Sequence, residues 1–274
     1  MEIVAHRVIW SFVLLTVILV ATRGWSNVRT ILASRKALIG LAVAAAFLTA
    51  NWGTYVYSVS TNQVVEGSLG YFINPLVSVA LGMIFLRERL GRLQWVAIAL
   101  AVIAVLELTW SYGQVPWIGL ILGFSFGIYG LLKKLVGAKA MPAMVVETGM
   151  LLPVALVVLL SAEVTGQAAF ILDGWGIAIL LVLLGPVTAI PLLAFNGAAT
   201  RIPLSVLGIL QYLTPSGIFL LGVFVFDEPM VPTRWLGFGL IWIALVVFGY
   251  DAWRSARSDR GNPVSRTLQV TEPD

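Results

Sequence analysis

The chain has 274 residues, 59% hydrophobic and only 11% charged, well below the roughly one-quarter charged share of a soluble domain. A mean hydropathy of +0.97 argues against a water-soluble fold. The absence of cysteine excludes disulfides, thiolate metal sites and cysteine nucleophiles, and the net charge of +4 does not point to nucleic acid.

Apolar runs predict nine helices, at 3–21, 37–57, 67–86, 93–110, 116–135, 142–162, 174–194, 204–226 and 232–250. Each approaches the about 20 residues that cross a hydrocarbon core of ~30 Å. The runs are too long and continuous for barrel strands, which alternate over about ten residues. Helices satisfy their backbone polar groups internally, as lipid demands. The expected fold is an all-α integral membrane protein with the bilayer as a partner. A polar tail at 251–274 is expected to be disordered.

The first predicted helix opens on His6 and Arg7. His6, the single histidine, leaves little scope for an imidazole metal site; an imidazole ordinarily changes charge near neutral pH, so His6 reads as structural or as part of transport. Arg7 either attracts an anionic group of a cargo or pairs with Glu66 at the outer mouth. Trp52, in the second helix, joins an abundant aromatic set that includes Tyr55 and Phe195. The third helix carries Tyr71-Phe72-Ile73-Asn74-Pro75, and Glu88 follows its end. A similar pattern returns in the eighth, as Gln211-Tyr212-Leu213-Thr214-Pro215 with Glu228 after it. Pro75 and Pro215 stand 140 positions apart, and at that offset Gly82 meets Gly222 and Trp95 meets Trp235.

Proline removes a backbone hydrogen bond, so Pro75 and Pro215, near the middle of their predicted helices, read as hinges around a central cavity or as static kinks. Asn74, Thr214 and Gln211 either bind cargo or bridge helices. Tyr71, Phe72 and Tyr212 lie too deep for an interfacial belt and either line a cavity or pack the core. Gly119, Gly123 and Gly127 mark a face for close helix approach. Glu147 lies about two turns into its helix. A charge at the membrane centre costs about 2.5–3.5 kcal/mol, so Glu147 is a proton carrier, half of a structural salt bridge, or a group near the interface. Lys133 and Lys134 read as orientation anchors, and Glu88 as a turn residue that caps the next helix or pairs locally.

Placing the C-terminus in the cytoplasm leaves only Arg7 and Arg234, of seventeen Lys and Arg, on the outer side, as the positive-inside rule requires. Five spans separate the Glu88 and Glu228 turns, so the second unit is inverted relative to the first. The expected division is 1–115 and 116–250. Inverted units of this kind support alternating access. At the 140 offset Met1 aligns with Met141, so the 116–135 helix has no partner in the first unit. The expectation is two five-helix repeats with the first helix missing, either as a natural nine-span form or because the start was misplaced.

Several stretches carry a family resemblance: Ala5-His6-Arg7-Val8-Ile9-Trp10-Ser11, Thr49-Ala50-Asn51-Trp52, Glu66-Gly67-Ser68-Leu69-Gly70-Tyr71-Phe72-Ile73-Asn74-Pro75-Leu76, Arg87-Glu88-Arg89-Leu90, Glu147-Thr148 and Gln211-Tyr212. Over about residues 1 to 250 the chain resembles the EamA branch of the drug/metabolite transporter superfamily. The resemblance implies ten helices in two inverted repeats in a bacterial inner membrane, with metabolites, amino acids or drugs as cargo. The function expected is that of a secondary permease for a small solute, with proton coupling open. A membrane-embedded enzyme is the alternative, but the clustered His, Asp or Ser/Lys groups it needs are not seen. A passive channel is another, without a ring of like charges. No cofactor, metal or nucleic-acid partner is expected.

Overall fold

The computed structural model describes residues 2–166, 174–224 and 232–260, and every regular element within them is an α-helix. Seven are long and apolar enough to cross a bilayer: α1 (Glu2–Ala21), α3 (Arg35–Ser60), α4 (Val64–Phe85, counted from Glu66), α5 (Arg92–Tyr112), α6 (Trp117–Val136), α7 (Ala140–Val164) and α8 (Trp175–Ala199). They correspond to the first seven predicted spans. A short helix, α2 (Trp25–Ala33), occupies what reads from sequence as a loop. It buries Val28 and Ile31 against the core, and Arg23 turns the chain into it with φ 53°.

The eighth predicted span is two helices, α9 (Leu204–Leu210) and α10 (Leu213–Phe224), broken at Gln211 and Tyr212. Pro215 explains the break. It has no N–H to return to the Gln211 carbonyl, which takes the Thr214 N–H at 3.1 Å instead. Pro215 therefore sits in the first turn of α10, not in mid-helix as expected, whereas Pro75 does lie inside α4. The last helix, α11 (Pro232–Arg260), holds the apolar stretch Trp235–Asp251 and runs on through 251–260. That stretch has no Gly or Pro before Gly261 to stop a helix, so its expected disorder is corrected. Residues 261–274 and Glu228 lie outside the described residues.

Apolar side chains gather into two main cores. One joins α1, α3, α7 and α8 through Leu15, Leu41, Ala44, Ala143 and Ala189, with α2 at its edge. The other joins α4, α5, α9 and α11 through Val79, Ala97, Ala101, Ile209 and Ile241. Helix α6 lies between them and packs on both α3 and α4. Large apolar side chains such as Val17, Leu106, Val157 and Val246 remain exposed on the outer faces, as a lipid-facing surface requires. The chain is a multi-pass membrane protein.

Close approach of α6 to α4 depends on the glycine face. A Cβ at Gly119 would sit 3.0 Å from the Glu66 carbonyl oxygen and 3.2 Å from the Gly70 nitrogen. At the same contact Glu66 joins three elements: its Oε1 accepts the Ile118 N–H (2.7 Å) and its Oε2 accepts the Tyr112 hydroxyl (3.0 Å). It thus satisfies a donor at the start of α6 that has no partner within the helix. The alternative in which Arg7 pairs with Glu66 is therefore corrected.

Glu88 works in the same way on the other side of the fold. Its two carboxylate oxygens accept the Leu204 and Ser205 N–H groups at 2.7 and 2.9 Å, capping α9 from 116 positions away. The reading of Glu88 as a local turn group is replaced by this long-range cap. A small third core closes around it, where Leu131, Ala199, Leu204 and Leu207 meet Leu81 and Leu86.

Candidate functional site: a cavity at the seam between the cores

A cavity of about 420 Å³ opens where the two cores meet. Its wall draws on α1, α3, α4, α6, α8 and the turn from α9 to α10. Helix α1 supplies Arg7, the charged residue of the wall. Its Nε donates to Thr188 Oγ1 at 3.0 Å, and its guanidinium lies 4.3 Å from the centre of the Trp52 ring. That geometry is a cation–π contact, worth about 2 kcal/mol or more when desolvated. Helix α3 is fixed to α6 beside it: Asn51 Nδ2 donates to the Leu122 carbonyl (2.9 Å) and to Ser125 Oγ (3.0 Å).

Helix α4 contributes Gly67, Gly70, Tyr71 and Asn74. Its glycines leave room, and Tyr71 stands edge-on to Tyr55 with ring centres 6.2 Å apart. Asn74 Nδ2 donates to Gln211 Oε1 across the seam. Asn74 Oδ1 and Gln211 Nε2 are then buried with no partner among the described residues. Thr214 completes the wall, and it and Tyr71 are exposed. Phe126 and Phe195, whose ring centres lie 4.8 Å apart, line another part of the wall, with Phe195 packed against the third core.

Of the residues expected to meet cargo, Trp52, Tyr71, Asn74, Gln211 and Thr214 reach the wall. Phe72 and Tyr212 are placed in the seam instead. Tyr212 is fully buried and its hydroxyl donates to the Phe72 carbonyl at 3.1 Å, while the Phe72 ring packs edge-on to Phe238 at 5.3 Å. These two residues occupy equivalent positions of the repeated pattern, so the two motifs cross each other there.

Among the residues read as charge carriers, Arg7 faces the cavity. His6 lies in a ladder along α1: its Nδ1 accepts from Trp10 Nε1 (3.1 Å) and its Nε2 is 3.5 Å from Glu2 Oε1. Glu147 is not on the wall; its Oε1 accepts from Lys133 Nζ at 2.9 Å, both side chains almost wholly buried. Asn196 Nδ2 donates to the Tyr129 hydroxyl nearby (2.8 Å), and Tyr129 stacks on Phe195. Lys133 is thus not the surface anchor expected of it. Lys134 is not free either: its Nζ donates to the Ile202 and Ala199 carbonyls and caps the end of α8. Thr188 and Phe126 are wall residues that the sequence reading missed. Pro186 and Pro191, which flank Thr188 inside α8, were the available signal, since each breaks the ladder of an otherwise uniform apolar run.

The sequence profile of the EamA-like transporter family matches residues 1–110 and 115–250. The chain belongs to the EamA-like transporter family. Among EamA-like relatives, protein RarD of Streptomyces exfoliatus is 48% identical over 259 residues, covering 94% of this chain and 82% of that protein. An uncharacterized transporter of Pseudomonas aeruginosa is 42% identical over 262 residues, 93% of this chain and 86% of the relative. A solved structure described as "Crystal structure of protein" superposes with a TM-score of 0.69 over 92% of this chain and 88% of its own, at 16% identity, which is a likeness of fold. This EamA-like chain is accordingly a RarD-like member of a family of membrane transporters.

Proposed function

We propose that this EamA-like protein is a secondary transporter that moves a small organic solute across a bacterial inner membrane by alternating access, with the cavity as its cargo site. The observation that carries the reading is the position of the cavity at the seam between two separately packed cores. Rocking one core against the other changes which end is open and leaves each core's packing intact. Protein interiors resist continuous deformation, so motion concentrates at such a seam.

Two inverted units, the first with four of five helices and the second with five, would give the two open shapes similar energies, and the Tyr212–Phe72 bond, which joins equivalent positions of the repeated pattern, supports that relation. The Lys and Arg distribution supports a cytoplasmic C-terminus. On that orientation the end closed by Phe126, Phe195 and the Glu88 cap faces the cytoplasm, and the structure is outward-facing. Pro75 and the break before Pro215 are the hinges. Among the described residues no carboxyl lines the cavity, and the ion pair with Lys133 favours a structural part for Glu147 over a proton carrier.

Because the chain has no cysteine, a cysteine at Leu192, on the cavity wall, is the sole thiol. In oriented proteoliposomes a membrane-impermeant maleimide should label Leu192→Cys from the outer side, and cargo should redistribute reactivity toward the inner side. Equal labelling from both sides with free passage of small ions would replace the transporter with a channel.

A further inference from the structure

We infer that the cavity is built to take a small organic monoanion, a carboxylate on an apolar body, and that Arg7 is the residue that binds its charge. The inference rests on the reading of the cavity as the cargo site and names the class of cargo.

Arg7 carries five N–H donors. One, at Nε, is given to Thr188 Oγ1, and the face of the guanidinium is given to Trp52. Among the described residues no carboxylate pairs with it, and the wall holds no Asp or Glu. The nearest candidate by sequence, Glu66, has both oxygens engaged by Ile118 and Tyr112. The outer edge of the guanidinium therefore has donors to spare in a low-dielectric setting, where a charge without a partner is costly. The Thr188 bond and the Trp52 ring together hold the fork still. A held guanidinium matches a carboxylate with two parallel hydrogen bonds. The wall has no second cation, which suits one negative charge better than the two of a phosphate monoester.

Asn74 and Gln211, joined to each other by a hydrogen bond across the seam, add a neutral polar part to the wall. Tyr71 and Trp52 bound the volume between, and about 420 Å³ lies in the ordinary range for small-molecule sites.

The test uses four probes that share a phenyl ring and a three-carbon chain: phenylpropanoate, phenylpropanamide, phenylpropylamine and 3-phenylpropyl phosphate. Binding to the purified full chain is read from tryptophan fluorescence, and transport from counterflow in proteoliposomes. Phenylpropanoate should bind about tenfold or more tighter than the amide and the amine, the usual scale for a hydrogen-bonded charge. Arg7→Gln should remove most of the preference for the carboxylate over the amide. The ranking of probes on the parent protein needs no variant, so a folding defect in Arg7→Gln leaves the test intact. Equal binding of carboxylate and amide, tighter binding of the amine or of 3-phenylpropyl phosphate, or no binding by any probe overturns the inference. Carboxylate binding without counterflow would sink the transporter reading and keep the anion site. Counterflow without charge preference would do the reverse.

Discussion

Lys133 and Glu147 face each other at 2.9 Å with almost no access to solvent. Removing one partner of such a pair leaves a buried charge uncompensated, at a cost of about 3–5 kcal/mol, whereas replacing both with apolar groups is often neutral. Lys133→Met should therefore lower the thermal unfolding temperature of the detergent-purified protein sharply. Lys133→Met combined with Glu147→Leu should recover most of the loss. If the double variant is as unstable as the single, the two groups do not depend on each other. At this scale the sequence was half legible. Glu147 is recognisable as a carboxyl too deep to stand alone. Lys133 is not recognisable as its partner, because a Lys-Lys run at the end of an apolar helix reads as an anchor. The pairing depends on the turn at Gly137, with φ 64°, which folds α7 back so that positions fourteen apart become level. Arg7 was less legible still: read at the outer start of the first span, it reaches the cavity wall and bonds to Thr188, 181 positions away.

Among the elements, α4 has the most to lose. Gly119→Val on α6 would drive a side chain into the backbone of α4, whose atoms lie 3.0–3.2 Å from the new Cβ. Overpacking of this kind costs about 1–3 kcal/mol, and the variant should unfold several degrees lower, by about 2–4 °C for each kcal/mol in a chain of this size. Unchanged unfolding would mean that α4 and α6 are not in contact. Pro75 presents a second case. Its carbonyl oxygen would lie 2.8 Å from a Cβ at Gly208, so α4 and α9 touch at the kink. If the kink is a hinge, Pro75→Ala should slow counterflow several-fold with little change in cargo affinity; equal rates would make it a packing feature alone. The long spans were legible from apolar run length. The short helix α2 and the break at Gln211 and Tyr212 were not. The first gains its burial mainly from α7 and α3, and the second depends on where a proline falls relative to a turn rather than on hydropathy.

For the molecule as a whole, the proposed alternating access turns on the end of the cavity at Phe126, Phe195 and the Glu88 cap. Glu88 accepts two backbone N–H groups of α9, and an amide in its place would turn its own donors toward one of them. Glu88→Gln should weaken the closed end, raising the inner-side labelling rate of Leu192→Cys by roughly tenfold, the scale of a charged hydrogen bond. No change would remove Glu88 from the gate. Single cysteines placed after Leu86 and after Phe226 test the topology, since an inverted arrangement requires labelling from opposite faces. Repeated motifs in the sequence suggested two halves, yet the packed cores do not follow them. Each core takes helices from both: α1 and α3 settle with α7 and α8, while α4 and α5 settle with α9 and α11. This exchange has a consequence for biosynthesis. When the ribosome has delivered α5, neither core can close, and Ala101 must wait for Ile241. At ordinary elongation speeds that is a delay on the order of ten seconds, during which half-built apolar seams stand open to lipid and to whatever insertase escorts the nascent chain.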